Sequence, residues 1–232
     1  MRMKTLGLIG GMSWESTAEY YRLINQGVRD ATGPMTSARL LMWSFNFAEI
    51  AALQKAGDWG ALAAQMVDAA RRLEAAGADA LMICTNTMHN CAPQIEAATG
   101  IPLIHIADPT GAAINAAGLT RVGLLGTRFT MEQDFYMRRL AERHGLDVIV
   151  PDEAGRATVH TIIYDELVAG RIEDASRQAC REVIQRLVQR GAQAIVLGCT
   201  EIMLLIGADD SPVPLFDTTA LHAQAGIALA VS

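Results

Sequence analysis

Two short segments contain most of the side chains in this sequence that could do chemistry. The first, CTNTMH at residues 84–89, places a thiol, two hydroxyl groups, an amide and an imidazole within six positions. The second, GCTE at residues 198–201, places another thiol beside a hydroxyl group and a carboxylate. A thiol becomes a base or a nucleophile when its surroundings lower its pKa, and hydroxyl and amide groups can bind a carboxylate. The two segments therefore indicate thiol chemistry on a small molecule.

Each segment comes directly after an apolar run that is typical of a buried strand. Similar runs recur along the chain and alternate with helical patterns, for example in residues 61–77, where apolar side chains recur at spacings of three and four: Leu62, Met66, Ala70 and Leu73. Strands that alternate with helices predict an α/β fold with mainly parallel sheets. Open sheets of this kind bind ligands at the carboxyl ends of their strands, which is where both segments lie.

The sequence repeats itself at three places in the same order. LGLIGGMSWES resembles VGLLGTRFTMEQ, AAGADALMICTNT resembles QRGAQAIVLGCTE, and IPLIHIADPT resembles VPLFDTT. The distance from Gly10 to Thr85 is 75 residues, and the distance from Gly126 to Cys199 is 73. Three matches in register indicate a duplicated α/β unit, whose first copy ends near residue 118.

The alignment of the two copies distinguishes between neighbouring candidates in the first segment. Without gaps, Cys84 aligns with Gly198, and Thr85 aligns with Cys199. Adjacent residues on a strand point to opposite faces of the sheet. We therefore expect Cys84 to face the core of its own domain, and Thr85 to occupy the position that corresponds to Cys199.

Glycine turns follow the first strand of each copy and predict helix starts. Ser13 in GGMS has the character of an N-cap, and Thr130 with Gln133 fits a capping box. Such turns offer backbone N–H groups to an anion, which favours a carboxylate ligand. The sequence contains neither a GxGxxG motif nor a P-loop lysine, so the turns do not indicate a nucleotide site.

Composition and charge exclude several other classes of function. A net charge of −6 gives no basic surface for nucleic acid or an anionic membrane, and no apolar run reaches the length of a membrane helix. The N-terminal run is short and ends in two glycines, which indicates a first strand and not a signal peptide. The cysteines at 84, 91, 180 and 199 show no disulfide spacing, which predicts a reduced, cytoplasmic enzyme.

Metal binding is also not predicted. Cys84, His89 and Cys91 match no common zinc spacing and lack a fourth ligand. His89 has two open interpretations: it could orient or polarise a thiol, or it could simply bind backbone groups at a helix end.

The motifs GGMSWEST, CTNTMH, LLGT and GCTEI together resemble those of the aspartate/glutamate racemase family, with the closest likeness to the proteobacterial branch of amino-acid racemases. The resemblance covers the chain nearly from end to end. It implies two pseudo-symmetric α/β domains with the active site in the cleft between them, and a homodimer. Because the family's last helix returns to the first domain, it implies a first domain of residues 1–103 with 215–232, and a second of residues 104–214.

The resemblance also implies a reaction, which is racemisation of an amino acid without pyridoxal phosphate, metal or any other cofactor. In the family, two cysteines on opposite faces of the substrate remove and return the α-proton, and the first of them directly precedes an Asn-Thr pair. Here that position is Thr85, whose hydroxyl is a far weaker acid than a thiol. We therefore expect Cys199 to be the thiolate base, with Thr85 or a water that it holds on the opposite face.

Family resemblance further implies aspartate or glutamate as the substrate, with preference for the L-enantiomer. The side-chain carboxylate would need a polar partner, for which Gln54 and Arg128 are candidates, although both could be ordinary surface residues. The residues expected to bind substrate are Met12, Gln54, Asn86, Thr87, Thr127, Thr200 and Glu201.

Two alternatives remain open at this point. Relatives with a single cysteine on the second domain decarboxylate malonate-type acids, and Cys199 alone could protonate the resulting carbanion. The chain could also be a carboxylate-binding protein without enzymatic activity, descended from a racemase.

Overall fold

Eight strands alternate with helices in residues 2–232, the part of the chain that this computed structural model describes. They are β1 (Thr5–Gly10), β2 (Arg39–Ser44), β3 (Ala80–Ile83), β4 (Leu103–Ile104), β5 (Arg121–Gly126), β6 (Asp147–Ile149), β7 (Ala194–Gly198) and β8 (Leu215–Asp217).

The α-helices lie between these strands and after the last one. They are α1 (Trp14–Thr32), α2 (Phe47–Ala56), α3 (Trp59–Ala75), α4 (Ala92–Ala98), α5 (Ala107–Ala116), α6 (Arg128–Glu132), α7 (Asp134–His144), α8 (Glu153–Thr161), α9 (Asp174–Gln189), α10 (Ile202–Leu205) and α11 (Thr218–Ala230). Short 3₁₀ turns occur at Thr87–Cys91, Leu167–Ala169 and Ala208–Asp210, and a π-helical turn continues α8 at Ile162–Glu166.

The strands form two four-stranded parallel sheets with the same internal order. The first sheet has the order β2-β1-β3-β4 and the second the order β6-β5-β7-β8. All pairs are parallel. The predicted α/β fold with two similar parallel-sheet halves is confirmed.

The register of the strands also confirms the alignment of the two copies. Ile83 pairs with Ile9 in the first sheet, and Leu197 pairs with Leu125 at the corresponding place in the second. The next residue after Ile83 is Cys84, and the next after Leu197 is Gly198. Thr85 therefore occupies the position in the first sheet that Cys199 occupies in the second.

The chain divides into two compact units, and their bounds differ from the predicted ones at both joins. The first unit extends to Ile106 and resumes with His222–Ser232, and the second is Ala107–Leu221. The predicted join at residue 104 falls inside strand β4. The predicted return at residue 215 falls at the start of strand β8, which pairs with β7.

The two units exchange their last helices. Helix α5 follows β4, the last strand of the first sheet, but it belongs to the second unit, where Asp108 forms an ion pair with Arg139 at 2.6 Å. Helix α11 follows β8 of the second sheet, but from His222 onward it belongs to the first unit. There the Lys4 N–H donates to the Ala230 carbonyl at 3.0 Å.

The turn after β1 needs two glycines. Gly11 has φ of +80°, and a Cβ atom there would lie 2.3 Å from the Phe45 carbonyl oxygen. A Cβ atom on Gly10 would lie 2.4 Å from a methyl carbon of Thr17 in helix α1. Both glycines are therefore required for the chain to leave β1 and enter the helix closely packed.

Candidate active site

Cys84 lies inside the core of the first unit and not at a functional surface. Its side chain is fully buried beside Leu6, Leu8, Tyr20 and Met82. Burial raises its pKa, so the group stays a neutral thiol at physiological pH. The next residue, Thr85, is partly exposed. The expectation that Cys84 faces the core is confirmed.

The rest of the CTNTMH segment forms a tight turn after β3. Asn86 precedes the 3₁₀ turn Thr87–Cys91, and the side chains of Asn86 and Thr87 are both buried. The Nδ1 atom of His89 lies 2.8 Å from the Thr85 carbonyl oxygen, and the Ile106 N–H donates to its Nε2 atom at 3.2 Å. Both ring nitrogens therefore bind backbone groups, which confirms the second of the two interpretations of His89.

Gln54 reaches this segment from helix α2. Its side chain is buried, and its Nε2 atom donates to the sulfur of Met88 at 3.3 Å. The interpretation of Gln54 as an ordinary surface residue is therefore wrong. Arg128, by contrast, is exposed.

The turn after β1 is organised by hydroxyl groups at the start of helix α1. The Ser16 N–H donates to the Ser13 hydroxyl at 3.3 Å, which confirms Ser13 as the N-cap. The Gly11 N–H donates to the Thr17 hydroxyl at 2.8 Å. The side chain of Met12 packs into the core of the first unit, so this residue can contribute to a ligand site through its backbone.

In the second unit, Cys199 and Glu201 form a hydrogen-bonded pair at the end of β7. The Cys199 thiol donates to Oε2 of Glu201 at 3.0 Å, and the Thr200 hydroxyl donates to the same oxygen at 2.8 Å. All three side chains are buried. A carboxylate accepts two hydrogen bonds here within three consecutive residues, so its orientation is fixed.

The surroundings of Cys199 hold it as a thiol in the resting protein. Burial and then the negative charge of Glu201 raise the pKa of Cys199 well above its ordinary value. The backbone N–H groups of Glu201 and Ile202 act in the opposite direction. The thiol proton therefore points at a carboxylate that can accept it, and two N–H groups are placed to stabilise the thiolate that would remain.

Thr127 begins helix α6 in the turn after β5. Its hydroxyl accepts from the Thr130 N–H at 3.3 Å, so Thr127 is the N-cap and Thr130 is the third residue of the helix. The predicted capping box at Thr130 and Gln133 is wrong because strand β5 ends at Gly126 and the helix begins directly after Thr127. The second copy thus lacks the two extra turn residues, Gly11 and Met12, that separate strand and cap in the first.

Tyr164, which lies near Cys199, and His160, which lies beside Tyr164, have no counterpart in the sequence predictions. Tyr164 lies in the π-helical turn and packs against the core cluster that contains Cys199. Its pKa is raised first by burial and then by the neighbouring Cys199 and Glu201 groups. The ring of His160 lies 4.6 Å from that of Tyr164, centroid to centroid. The segment IIYDEL resembles no motif, so only the π turn, which often marks functional sites, could have indicated it.

His160, beside Tyr164, is held as a neutral imidazole. Its Nδ1 atom accepts from the Arg128 N–H at 3.3 Å. Burial and then the positive charge of Arg128 lower its pKa. A neutral imidazole therefore connects the turn after β5 with Tyr164.

Residues 2–232 contain neither a metal-binding cluster nor a membrane-spanning helix. Among these residues, no group of three or more His, Cys, Asp or Glu side chains is arranged to hold a metal ion. In the same part of the chain, no helix has both the length and the apolar character that a membrane crossing requires.

Comparison with known proteins gives a consistent picture. The family model described as Asp/Glu/Hydantoin racemase matches residues 9–226. A crystal structure from Yersinia pestis, of a protein provisionally assigned as an Asp/Glu racemase, is 53% identical, covers 99% of this chain and 100% of that chain, and has a TM-score of 0.93.

Two other relatives are more distant. The crystal structure of an aspartate racemase homologue from Pyrococcus horikoshii OT3 is 32% identical, covers 99% of this chain and 100% of that one, and has a TM-score of 0.85. The broad specificity amino-acid racemase RacX of Bacillus subtilis is 26% identical over 165 residues, which cover 70% of this chain and 69% of that protein. The family model covers most of the chain, and two structures above 30% identity cover nearly all of it, so this protein belongs to the Asp/Glu/hydantoin racemase family.

Proposed function

We propose that this protein is a cofactor-independent racemase of acidic amino acids, aspartate or glutamate, that prefers the L-enantiomer. Cys199 removes the α-proton, and Thr85 or a water that it holds returns a proton to the opposite face. One observation carries the proposal. Cys199, which corresponds to Thr85 in the duplicated fold, donates its thiol hydrogen to the buried carboxylate of Glu201.

The first step would generate the base. The proton of Cys199 moves to Glu201 along the 3.0 Å hydrogen bond, which leaves a thiolate and a neutral carboxylic acid. This transfer removes the negative charge that opposes the thiolate, and the N–H groups of Glu201 and Ile202 then stabilise it. The transfer moves the buried negative charge from Glu201 to Cys199 and adds no second charge to the site, which would be costly.

The second step would move the α-proton. The thiolate takes the proton from the α-carbon and becomes a thiol again, and the electron pair of the C–H bond remains on the substrate as a carbanion. Hydrogen-bond donors around the α-carboxylate stabilise that charge. The proposed donors are the side chains of Asn86, Thr87 and Thr200, with the backbone around Met12 and Thr127.

The third step would return a proton to the other face. The hydroxyl of Thr85, or a water bound to it, gives a proton to the carbanion, and the oxygen recovers one from solvent. The extra proton on Glu201 leaves to solvent in the same cycle, so that protons balance. Because a hydroxyl is a much weaker acid than a thiol, this step would be slower than recapture of a proton from Cys199.

Gln54 and Arg128 are the candidates for recognition of the substrate side chain. Gln54 is buried against Met88 and offers an amide to a carboxylate, whereas Arg128 offers a charge from an exposed position. A neutral amide binds several polar side chains, and the relative from Bacillus subtilis has broad specificity by name. We therefore rank Gln54 first and expect activity with more than one amino acid.

The proposal is tested by NMR in deuterated buffer. With L-aspartate or L-glutamate, we expect solvent deuterium to enter the α-position of the L-enantiomer faster than the D-enantiomer appears. The overall equilibrium constant is one, so kcat/KM for the two directions must still be equal, and the asymmetry shows only in this comparison. If no common L-amino acid shows either exchange or inversion, the proposed function is refuted.

The remaining properties of the proposed enzyme follow from the same mechanism and the family. We propose that it works in the cytoplasm as a homodimer, and that its only partner in catalysis is the amino acid. Activity should persist after treatment with EDTA and hydroxylamine, because no step uses a metal or pyridoxal phosphate. Loss of activity with either reagent would contradict the thiol mechanism.

A second candidate reaction is supported by the protonation state of Cys199. A thiol whose pKa is raised stays protonated, so it holds a proton for the carbanion that remains when carbon dioxide leaves a malonate-type acid. Release of carbon dioxide from an aryl- or alkylmalonate, without α-proton exchange on amino acids, would favour this reaction. The intact Cys199–Glu201 pair argues against a binding protein without activity.

A further inference from the structure

Three buried histidines lie together in the first unit. The ring of His89 is 4.5 Å from that of His105 and 5.7 Å from that of His222, centroid to centroid. All three side chains are buried. Buried imidazoles are uncommon unless their nitrogens are satisfied, so the partners of each ring indicate what the cluster holds in place.

The hydrogen bonds of His89 define its tautomer. The Thr85 carbonyl can only accept, so the Nδ1 atom, 2.8 Å away, must carry a hydrogen. The Ile106 N–H can only donate, so the Nε2 atom, 3.2 Å away, must carry a lone pair. His89 is therefore a neutral imidazole that connects the turn carrying Thr85 to the last residue of the chain before it enters the second unit.

His222 also binds the backbone next to residue 105, close to Ile106. Its Nε2–H donates to the Ile104 carbonyl at 2.7 Å, and its Nδ1 atom accepts from the Tyr20 hydroxyl at 2.7 Å. Two imidazoles thus fix the backbone on both sides of residue 105. The backbone of residues 104–106, to which His89 binds, is itself held in place, because Tyr20 of helix α1 and His222 of helix α11 contribute to these contacts.

We propose that His89 is a positioning residue for Thr85, an inference that rests on the proposed racemisation. The bond from Nδ1–H to the Thr85 carbonyl fixes the peptide group between Thr85 and Asn86, and this group sets the direction of both side chains. Correct placement matters most for the step in which Thr85 acts. A small displacement of a reacting group can cost large factors in rate, so loss of this bond should affect proton return more than proton removal.

Two substitutions separate the two bonds of His89. In His89→Asn, the amide nitrogen can occupy the place of Nδ1 and keep the donor to Thr85, while the acceptor for Ile106 is lost. In His89→Gln, the side-chain oxygen can occupy the place of Nε2 and keep the acceptor for Ile106, while the Nδ1 donor is lost. Both remove the ring from the cluster, so their effects on stability should be similar. His222→Gln serves as the control, because it disturbs the contacts of the backbone around residue 105 and leaves the hydrogen bond to the Thr85 carbonyl in place.

The readouts are deuterium exchange and inversion, measured on the same L-substrate for each variant. We expect the ratio of inversion to exchange to fall about tenfold in His89→Gln, and to stay within about threefold of wild type in His89→Asn and His222→Gln. A purely structural role would lower both rates by the same factor and leave the ratio unchanged. If the ratio of inversion to exchange equals the wild-type ratio in all three variants, the positioning role is overturned.

A second measurement needs no activity. Long-range nitrogen NMR on the histidines should show His89 as the Nδ1–H tautomer and His222 as the Nε2–H tautomer. The opposite tautomer at His89 would overturn the proposal, because Nδ1 would then have no proton to donate to Thr85. Wild-type protein with these tautomers but without α-proton exchange would instead refute the proposed function, and the catalytic part of this inference with it.

Discussion

Cys84→Ala tests whether the first catalytic position is Thr85 or the neighbouring thiol. Cys84 is fully buried among Leu6, Leu8 and Tyr20, and burial raises its pKa. The substitution removes one sulfur atom from the core and leaves Thr85 unchanged. If Thr85 is the residue that faces the substrate, the change should cost stability and spare the reaction.

The expected loss of stability follows from the size of the deleted group. Removal of one buried atom of about the size of a methylene group costs about 0.8 kcal/mol in transfer free energy. The small cavity that remains adds to this, so that the total is about 1 kcal/mol or slightly more. For a chain of this length, a loss of that size lowers Tm by about 2–4 °C.

The assay combines thermal unfolding with the two rates measured in deuterated buffer. Cys84→Ala should melt earlier by that amount, with exchange and inversion within about twofold of wild type, since the reacting groups are untouched. The matched variant Thr85→Ala should melt closer to wild type, because Thr85 is partly exposed, and should lose inversion while it retains exchange. If Cys84→Ala instead loses exchange with no change in Tm, then Cys84 is a catalytic base and the alignment of the two copies is off by one residue.

The remaining predictions concern the thiols and Thr85. Cys199→Ser should abolish α-proton exchange and leave Tm nearly unchanged, since an alcohol cannot replace the thiolate; full exchange in this variant would end the assignment. Glu201→Gln should reduce exchange at pH 7.5 by about 100-fold, because the thiol loses its proton acceptor. Since Glu201 also raises the pKa of Cys199, its replacement lowers that pKa, and the rate should recover as pH rises; an unchanged rate at pH 7.5 would show that Glu201 takes no proton. Thr85→Cys should raise inversion relative to exchange by restoring the family's two-thiol site, and no gain would mean that Thr85 is not a weakened catalytic position. Burial raises the pKa of every cysteine in the chain, to about 11 for Cys91 and about 12 for Cys180, so the unfolded chain releases thiol protons that the folded protein keeps. Stability should therefore fall above about pH 9 by about 1.4 kcal/mol per pH unit and thiol, and a denaturation midpoint that stays constant from pH 9 to 11 would contradict this.

The parts of the fold that the sequence predicts are those that depend on local pattern. Buried parallel strands are continuous apolar runs, so β1, β3, β5 and β7 are recognisable, and the polar residues after them mark the ends of the strands. Duplication adds information that a single copy lacks. The equivalence of Thr85 and Cys199 follows from the alignment alone, and the strand register of both sheets agrees with it.

The features that the sequence does not predict depend on contacts between distant segments. The exchange of helices α5 and α11 between the units leaves no local signal, because each helix follows its strand in the ordinary way; the family resemblance, and not a local pattern, assigns α5 to residues 104–214 and α11 to the first domain. The cap at Thr127 is missed because Thr127 and Thr130 are both good caps, and the choice depends on where β5 ends. Tyr164, which lies close to Cys199 in space, is far from it in the chain.

The two copies have diverged in a way that agrees with different roles in one reaction. Two residues after Cys199 stands Glu201, whose carboxylate accepts the thiol proton, and two residues after Thr85 stands Thr87. The Thr85 hydroxyl is a far weaker acid than the Cys199 thiol, so a Glu at position 87 would add a buried charge without making a usable base. The first copy instead has an imidazole that holds the Thr85 carbonyl in place. Electrostatics for proton removal in the second copy, and backbone placement for proton return in the first, is the division that the proposed racemisation with one thiol requires.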